Sequence, residues 1–176
     1  MSLVVVERRL DPPARVEDVR AMKEQADWCM KQYRVRHLTS LLALDGVGLL
    51  CAFEAPDAEA VRGMMRTLAA RPDRVWAGSL HATADSPALA EHPTVAVVER
   101  TFDEPVAFDD IQAREERGRW CLEHHRAHFL CTYFSTDRRR MVCLYAAPDA
   151  EAARRAQEQA AMPFDRVWPA HVYNSP

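Results

Sequence analysis

The chain has 176 residues, of which 48% are apolar, and carries a formal net charge of -3. That composition suits a folded domain with a real core rather than a disordered segment. The negative balance speaks against nucleic acid as a main partner, and no apolar run approaches the roughly 20 residues of a membrane-spanning helix.

Val4 to Arg8 reads as a short apolar strand, and Val16 to Tyr33 has helical period, with Val19, Met22, Ala26, Cys29, Met30 and Tyr33 on one face. Arg36 to Leu44 and Leu49 to Glu54 read as a hairpin around Asp45-Gly46. Pro56-Asp57 opens a second helix, because proline is tolerated in a first turn and the carboxylates of Asp57 and Glu59 favour the positive helix end. Asp73-Arg74 leads into a fourth strand, and the span from Gly78 to Thr94 is its tail plus a connection.

The same series then starts again. Adding 92 to any position from Val5 to Trp76 aligns the two halves without a gap. Val5-Val6-Glu7-Arg8 matches Val97-Val98-Glu99-Arg100, and Trp28-Cys29 matches Trp120-Cys121. The block Ala55 to Ala60 recurs as Ala147 to Ala152, and Asp73 to Trp76 recurs as Asp165 to Trp168. A period this long means paired domains, not a solenoid. The second copy reads as a helix carrying Phe108, Ile111, Gly118, Cys121, Leu122 and His125, strands at His128 to Thr136 and Met141 to Ala146, and the basic run Arg138 to Arg140 as a solvated turn.

The expected fold class is therefore α+β: two ferredoxin-like βαββαβ domains packed as a pseudo-dimer, in the manner of a dimeric α/β-barrel. Residues 1–82 form the first domain, 83–94 a linker and 95–176 the second. The strands are apolar on both faces, as in Leu38, Leu41 and Leu42, whereas a half-solvated sheet should alternate with polar residues. Mutual covering of the two sheets would resolve this, giving a monomeric pseudo-dimer or a weak homodimer. Five cysteines without a C-x-x-C spacing suit buried thiols in a reducing cytoplasm, and the N-terminus reads as a strand, not a signal peptide.

Three groups of residues stand out. Glu7 and Glu99 fall on central strands, where a carboxylate is costly to bury unless paired, bonded or in a cavity. Cys51 and Cys143 fall on the neighbouring strands, so Glu7 with Cys51 and Glu99 with Cys143 could line a small ligand pocket. The alternative is a strand-end ion pair with Arg8, Arg9 or Arg74. Cys121, His124, His125 and His128 have spacings that could supply metal ligands, with nickel or zinc as the metal, or they are structural residues at a helix end. Trp28 and Trp120 fall opposite the apolar stripes of their helices. No nucleophile motif, glycine-rich phosphate loop or spaced acid/base pair is present, yet a pocket between the sheets with one acid or base would suffice for an enzyme.

Each copy resembles a family of small single-domain proteins that includes an actinobacterial nickel-responsive, nickel-binding protein. The residues that carry the resemblance are Val6-Glu7-Arg8, Val35-Arg36-His37-Leu38, and the blocks Cys51 to Ala60 and Cys143 to Ala152. It implies a ferredoxin-like fold, dimerisation and, in some members, metal binding. Many members carry histidine on the first strand and both helices. Glu7 and Glu99 stand at the strand position here; the first helix offers Met22, Lys23 and Glu24 or Arg114, Glu115 and Glu116, and the second Met64, Met65 and Arg66 or Ala156, Gln157 and Glu158. Two functions follow as expectations: a non-enzymatic binding or sensing protein for a small ligand or transition metal, or a small cofactor-independent enzyme of the oxygenase or isomerase type.

Overall fold

In the computed structural model, which describes residues 1–174, each copy adopts the βαββαβ order. The first copy comprises β1 (Ser2–Arg9), α1 (Val16–Gln32), β2 (Arg36–Ala43), β3 (Gly48–Ala55), α2 (Ala58–Thr67) and β4 (Arg74–His81). A short 3-10 turn at Leu89–Glu91 follows. The second copy comprises β5 (Thr94–Thr101), a first helix in two pieces, α3 (Phe108–Arg117) and α4 (Arg119–His124), then β6 (His128–Ser135), β7 (Arg140–Ala146), α5 (Ala150–Gln159) and β8 (Arg166–Asn174). Two compact units result: residues 1–79 with 171–176, and residues 80–170. Among the described residues no helix is long and apolar enough to cross a membrane.

Within the first unit β1 is central, pairing antiparallel with β3 and β4, while β2 pairs with β3. Within the second, β7 lies between β5 and β6. Strand parity then decides what meets the helices. Val4 and Val6 of β1 pack with Cys51 and Phe53 of β3 against Val19, Met30 and Met64 of the helices. Val98, Cys143 and Tyr145 pack in the same way against Ile111, Leu122 and Ala156. On the opposite face Val5, Leu41, Leu50 and Ala52 are buried as well. At about 25 cal/mol per Å² of apolar surface removed from water, these faces are the main source of stability.

The repeat extends to the backbone. Residues with positive φ occur at equivalent places in both copies: Arg34 and Arg126, Ala69 and Ala161, and Gly46 and Arg138 in the hairpin turns. Gly46 also sits against the chain, because a Cβ there would lie 2.4 Å from the Ala14 carbonyl oxygen. The second helix starts one residue later than expected. Asp57 is its cap and accepts from the Ala60 amide at 2.8 Å, so Pro56 precedes the helix instead of opening it. Asp149 caps α5 through the Ala152 amide at 2.7 Å. Each cap satisfies an otherwise unpaired amide, so Asp57→Ala and Asp149→Ala should each lower stability by about 1 kcal/mol in urea melts.

The copies depart at Gly118, where the first helix of the second copy breaks. A Cβ at Gly118 would lie 2.6 Å from the Cβ of Ala160. The first copy has Ala26 there and an unbroken helix.

Candidate active site

Parity separates the residues that strand adjacency brings together. Val6 stands opposite Cys51 and Glu7 opposite Leu50; Val98 stands opposite Cys143 and Glu99 opposite Val142. Because successive side chains point to opposite faces, each cysteine faces the helices and each glutamate faces away from them. Glu7 accepts from the indole N–H of Trp76 at 2.7 Å. Glu99 is buried and accepts from Arg140 at 2.7 Å, Arg166 at 2.6 Å and the Trp168 indole at 3.1 Å. The partners of Glu99 are thus two arginines and an indole of β7 and the last strand.

The four candidate metal ligands do not converge. Cys121 is buried in α4, His124 and His128 are exposed, and His125 caps the helix with its Nε2 at 2.9 Å from Gln159 Oε1. Among the described residues no group of three or more His, Cys, Asp or Glu side chains is disposed to hold a metal ion. The donor set present here therefore does not fit a nickel or zinc centre.

What the helix-facing side of each sheet does hold is a cavity, one per unit, at equivalent positions. The first unit's cavity has a volume of about 300 Å³ and the second unit's about 450 Å³. Val19, Met30, Leu49 and Cys51 line the first; Ile111, Leu122, Met141 and Cys143, their repeat equivalents, line the second. The decoration differs. Lys23, His37 and Ser40 in the first are replaced by Glu115, Phe129 and Thr132 in the second.

In the second unit the wall is backed by a buried polar network. Arg100 of β5, Tyr145 of β7 and Gln157 of α5 are all fully buried. Arg100 Nη2 donates to Gln157 Oε1 at 2.7 Å and to the Tyr145 hydroxyl at 3.4 Å, and Nη1 donates to the Pro163 carbonyl. Tyr145 donates in turn to Glu115 Oε1 at 2.9 Å. Burial opposes the charge on Arg100, and the Glu115 carboxylate favours it. Burial raises the carboxyl of Glu115 above its ordinary value, against the pull of Arg100 and the Tyr145 hydroxyl. Burial also raises Cys143 and Tyr145, so both stay neutral near pH 7. Two buried donors, Arg100 Nε and Gln157 Nε2, have no hydrogen-bond partner.

A carboxylate with a raised pKa, held on a cavity wall by a hydroxyl that a buried guanidinium backs, is the arrangement of a general acid or base. Phe108, Ile111, Leu122, Phe129 and Met141 form the apolar part of the lining, and Asp85, Glu116, Arg119 and Glu123 also line the cavity. Sequence reasoning passed over Glu115, Tyr145 and Gln157. The signal lay in the divergence of the copies: Lys23, Phe53 and Met65 become Glu115, Tyr145 and Gln157 on faces that otherwise remain apolar. Glu115 also follows Ile111 by four residues, which puts a carboxylate on the buried helix face.

The first unit's polar groups form a different chain. His37 Nε2 lies 2.7 Å from Ser40 Oγ, which lies 3.0 Å from Cys51 Sγ. Burial and, after it, the charge of Lys23 pull His37 down to about 4, while burial pushes Cys51 up to about 11. The native state thus holds His37 neutral while an unfolded chain protonates it below its ordinary value of 6.5. Stability conferred by the neutral imidazole is fully present above pH 6.5 and is lost as pH falls through 4. The loss should reach roughly 3 kcal/mol at most, and His37→Phe, matching Phe129, should flatten that limb of a pH-stability curve.

Two solved structures have the same overall fold. A candidate chlorite dismutase matches with a TM-score of 0.51 at 13% identity, over 98% of this chain and 94% of that one. An anthrone oxidase-like protein matches with a TM-score of 0.52 at 12% identity, over 98% of this chain and 92% of that one. Identities this low show the fold alone. Among curated proteins no sequence matches. The sequence profile of the nickel-responsive protein SCO4226-like family, in contrast, matches residues 5–77 and again residues 97–169. The chain belongs to that family, as two tandem copies of its domain.

Proposed function

We propose that the chain is a small cofactor-independent enzyme whose working site is the second unit's cavity, with Glu115 as the group that takes up and returns a proton. The carrying observation is the Glu115–Tyr145–Arg100 network beside a 450 Å³ cavity, which the first copy lacks. In the reaction, the Glu115 carboxylate accepts a proton from an acidic C–H of a small substrate with apolar or aromatic character. The electron pair of that bond delocalises into the substrate's adjacent carbonyl, and Glu115 returns the proton at a neighbouring atom. This isomerase type needs no other reactant. The oxidase named among the similar folds supports the enzyme class, and an oxygenase type would use dioxygen after the same proton abstraction. Five free, buried thiols accord with a reducing cytoplasm.

A second reading is a binding or sensing protein, favoured by the family's description as nickel responsive. Solvent exchange separates the two. Incubation with a panel of small enolisable ketones in D₂O, read by proton NMR, should show deuterium entering the substrate carbon with the wild-type chain and not with Glu115→Gln. Ligand-induced thermal stabilisation without exchange in any case would favour the binding protein.

A further inference from the structure

The two cavities differ most in what surrounds the repeated arginine. Arg100 has Glu115, Tyr145 and Gln157 about it. Arg8 has Lys23, Phe53 and Met65 at the equivalent positions, so the three side-chain acceptors have been lost and a second cation added. Arg8 lines the cavity of about 300 Å³, and its Nε is buried without a hydrogen-bond partner. Lys23 lines the same wall, and no Asp or Glu does. Neither Arg8 nor Lys23 forms an ion pair among the described residues.

The remaining polar groups cannot supply the missing charge. His37, Ser40 and Cys51 hydrogen-bond one another in a chain. Burial keeps both ends of that chain neutral. Apart from Gln25, the rest of the lining is apolar and rich in methionine: Met22, Met30, Met64 and Met65. Methionine side chains are unbranched and adapt to irregular apolar shapes. Arg8 and Lys23 are both half-buried, they line one cavity that no carboxylate lines, and the Arg8 Nε is buried, so the cavity favours an anion above its flexible apolar floor.

We infer that the first unit's cavity is a binding site for a small apolar carboxylate, its head held by Arg8 and Lys23 and its tail among the methionines. The ligand's carboxylate supplies to Arg8 the negative charge that Glu115 supplies to Arg100. The site is separate from the second unit's cavity and does not rest on the role of Glu115.

Octanoate and octanamide are the probes, titrated calorimetrically into the full chain and followed by methionine methyl NMR. They share a tail and differ in charge. Octanoate should bind one per chain and shift the methyl signals of Met30, Met64 and Met65, and octanamide should bind at least about tenfold more weakly. Arg8→Gln and Lys23→Gln should each weaken octanoate by about tenfold, and the lysine variant, on a helix surface, serves if the arginine variant does not fold. Equal affinity for the two probes, absence of heat and of methyl shifts up to about 10 mM octanoate, or unchanged affinity in Lys23→Gln would each overturn the assignment.

Discussion

Glu115→Gln should lower the rate of solvent exchange into substrate by about 10²- to 10⁴-fold, the usual worth of a positioned general base. Glutamine keeps the shape of the side chain and can still accept from the Tyr145 hydroxyl, which now donates to Glu115 at 2.9 Å. The fold should therefore survive while the proton acceptor is lost. Tyr145→Phe should give a smaller loss and move the pH profile. The hydroxyl pulls the Glu115 carboxyl down against burial, so its removal should carry the rising limb of the rate to higher pH. A base works in its ionised form, so wild-type activity should rise with pH through a midpoint above the ordinary carboxylate value of 4.5. An unaltered rate in Glu115→Gln would remove the carboxylate from the chemistry.

The largest stability effect should come from Glu99→Gln, at about 3–5 kcal/mol in urea melts. Glu99 and Arg140 are nearly inaccessible, with side chains 9% and 11% exposed and 2.7 Å apart. Taking away the anion leaves the Arg140 guanidinium with less compensation than its burial requires. Arg166→Gln is the control. Its side chain is 55% exposed, so water replaces the lost bond and the change should be under about 1 kcal/mol. A Glu99→Gln melt within about 0.5 kcal/mol of wild type would show that the ion pairs contribute nothing to the fold.

The architecture is written openly in the sequence because each unit's signals agree and are then repeated. The apolar period of Val16 to Tyr33 becomes α1, and the Asp45-Gly46 turn becomes the bend between β2 and β3. Asp57 and Asp149 act at helix starts, as their positions before alanine-rich segments imply. At Gly118 the sequence carries a local signal, a glycine within a helical stretch, while the close approach of Ala160 is not legible from it.

The site was less legible for a reason of geometry. Strand adjacency puts Glu7 beside β3 and Glu99 beside β7, but a shift of one residue changes the face, and the cysteines belong with Arg8 and Arg100. Glu115 comes from a helix far from either strand in sequence, so no local spacing joins it to Tyr145, 30 residues on. The histidines drew notice because of their spacing, but the helix ends at His124 and the turn carries His128 onto a strand, away from the face of Cys121. Comparison of the copies was the stronger signal.

Titration of Glu115 by carboxyl carbon NMR, in protein labelled at glutamate and assigned with Glu115→Gln, tests the account most directly. The predicted result is a midpoint clearly above 4.5, rising further in Tyr145→Phe. A Glu115 midpoint at or below 4.5, unmoved by Tyr145→Phe, would contradict a tuned acid–base group in the second cavity.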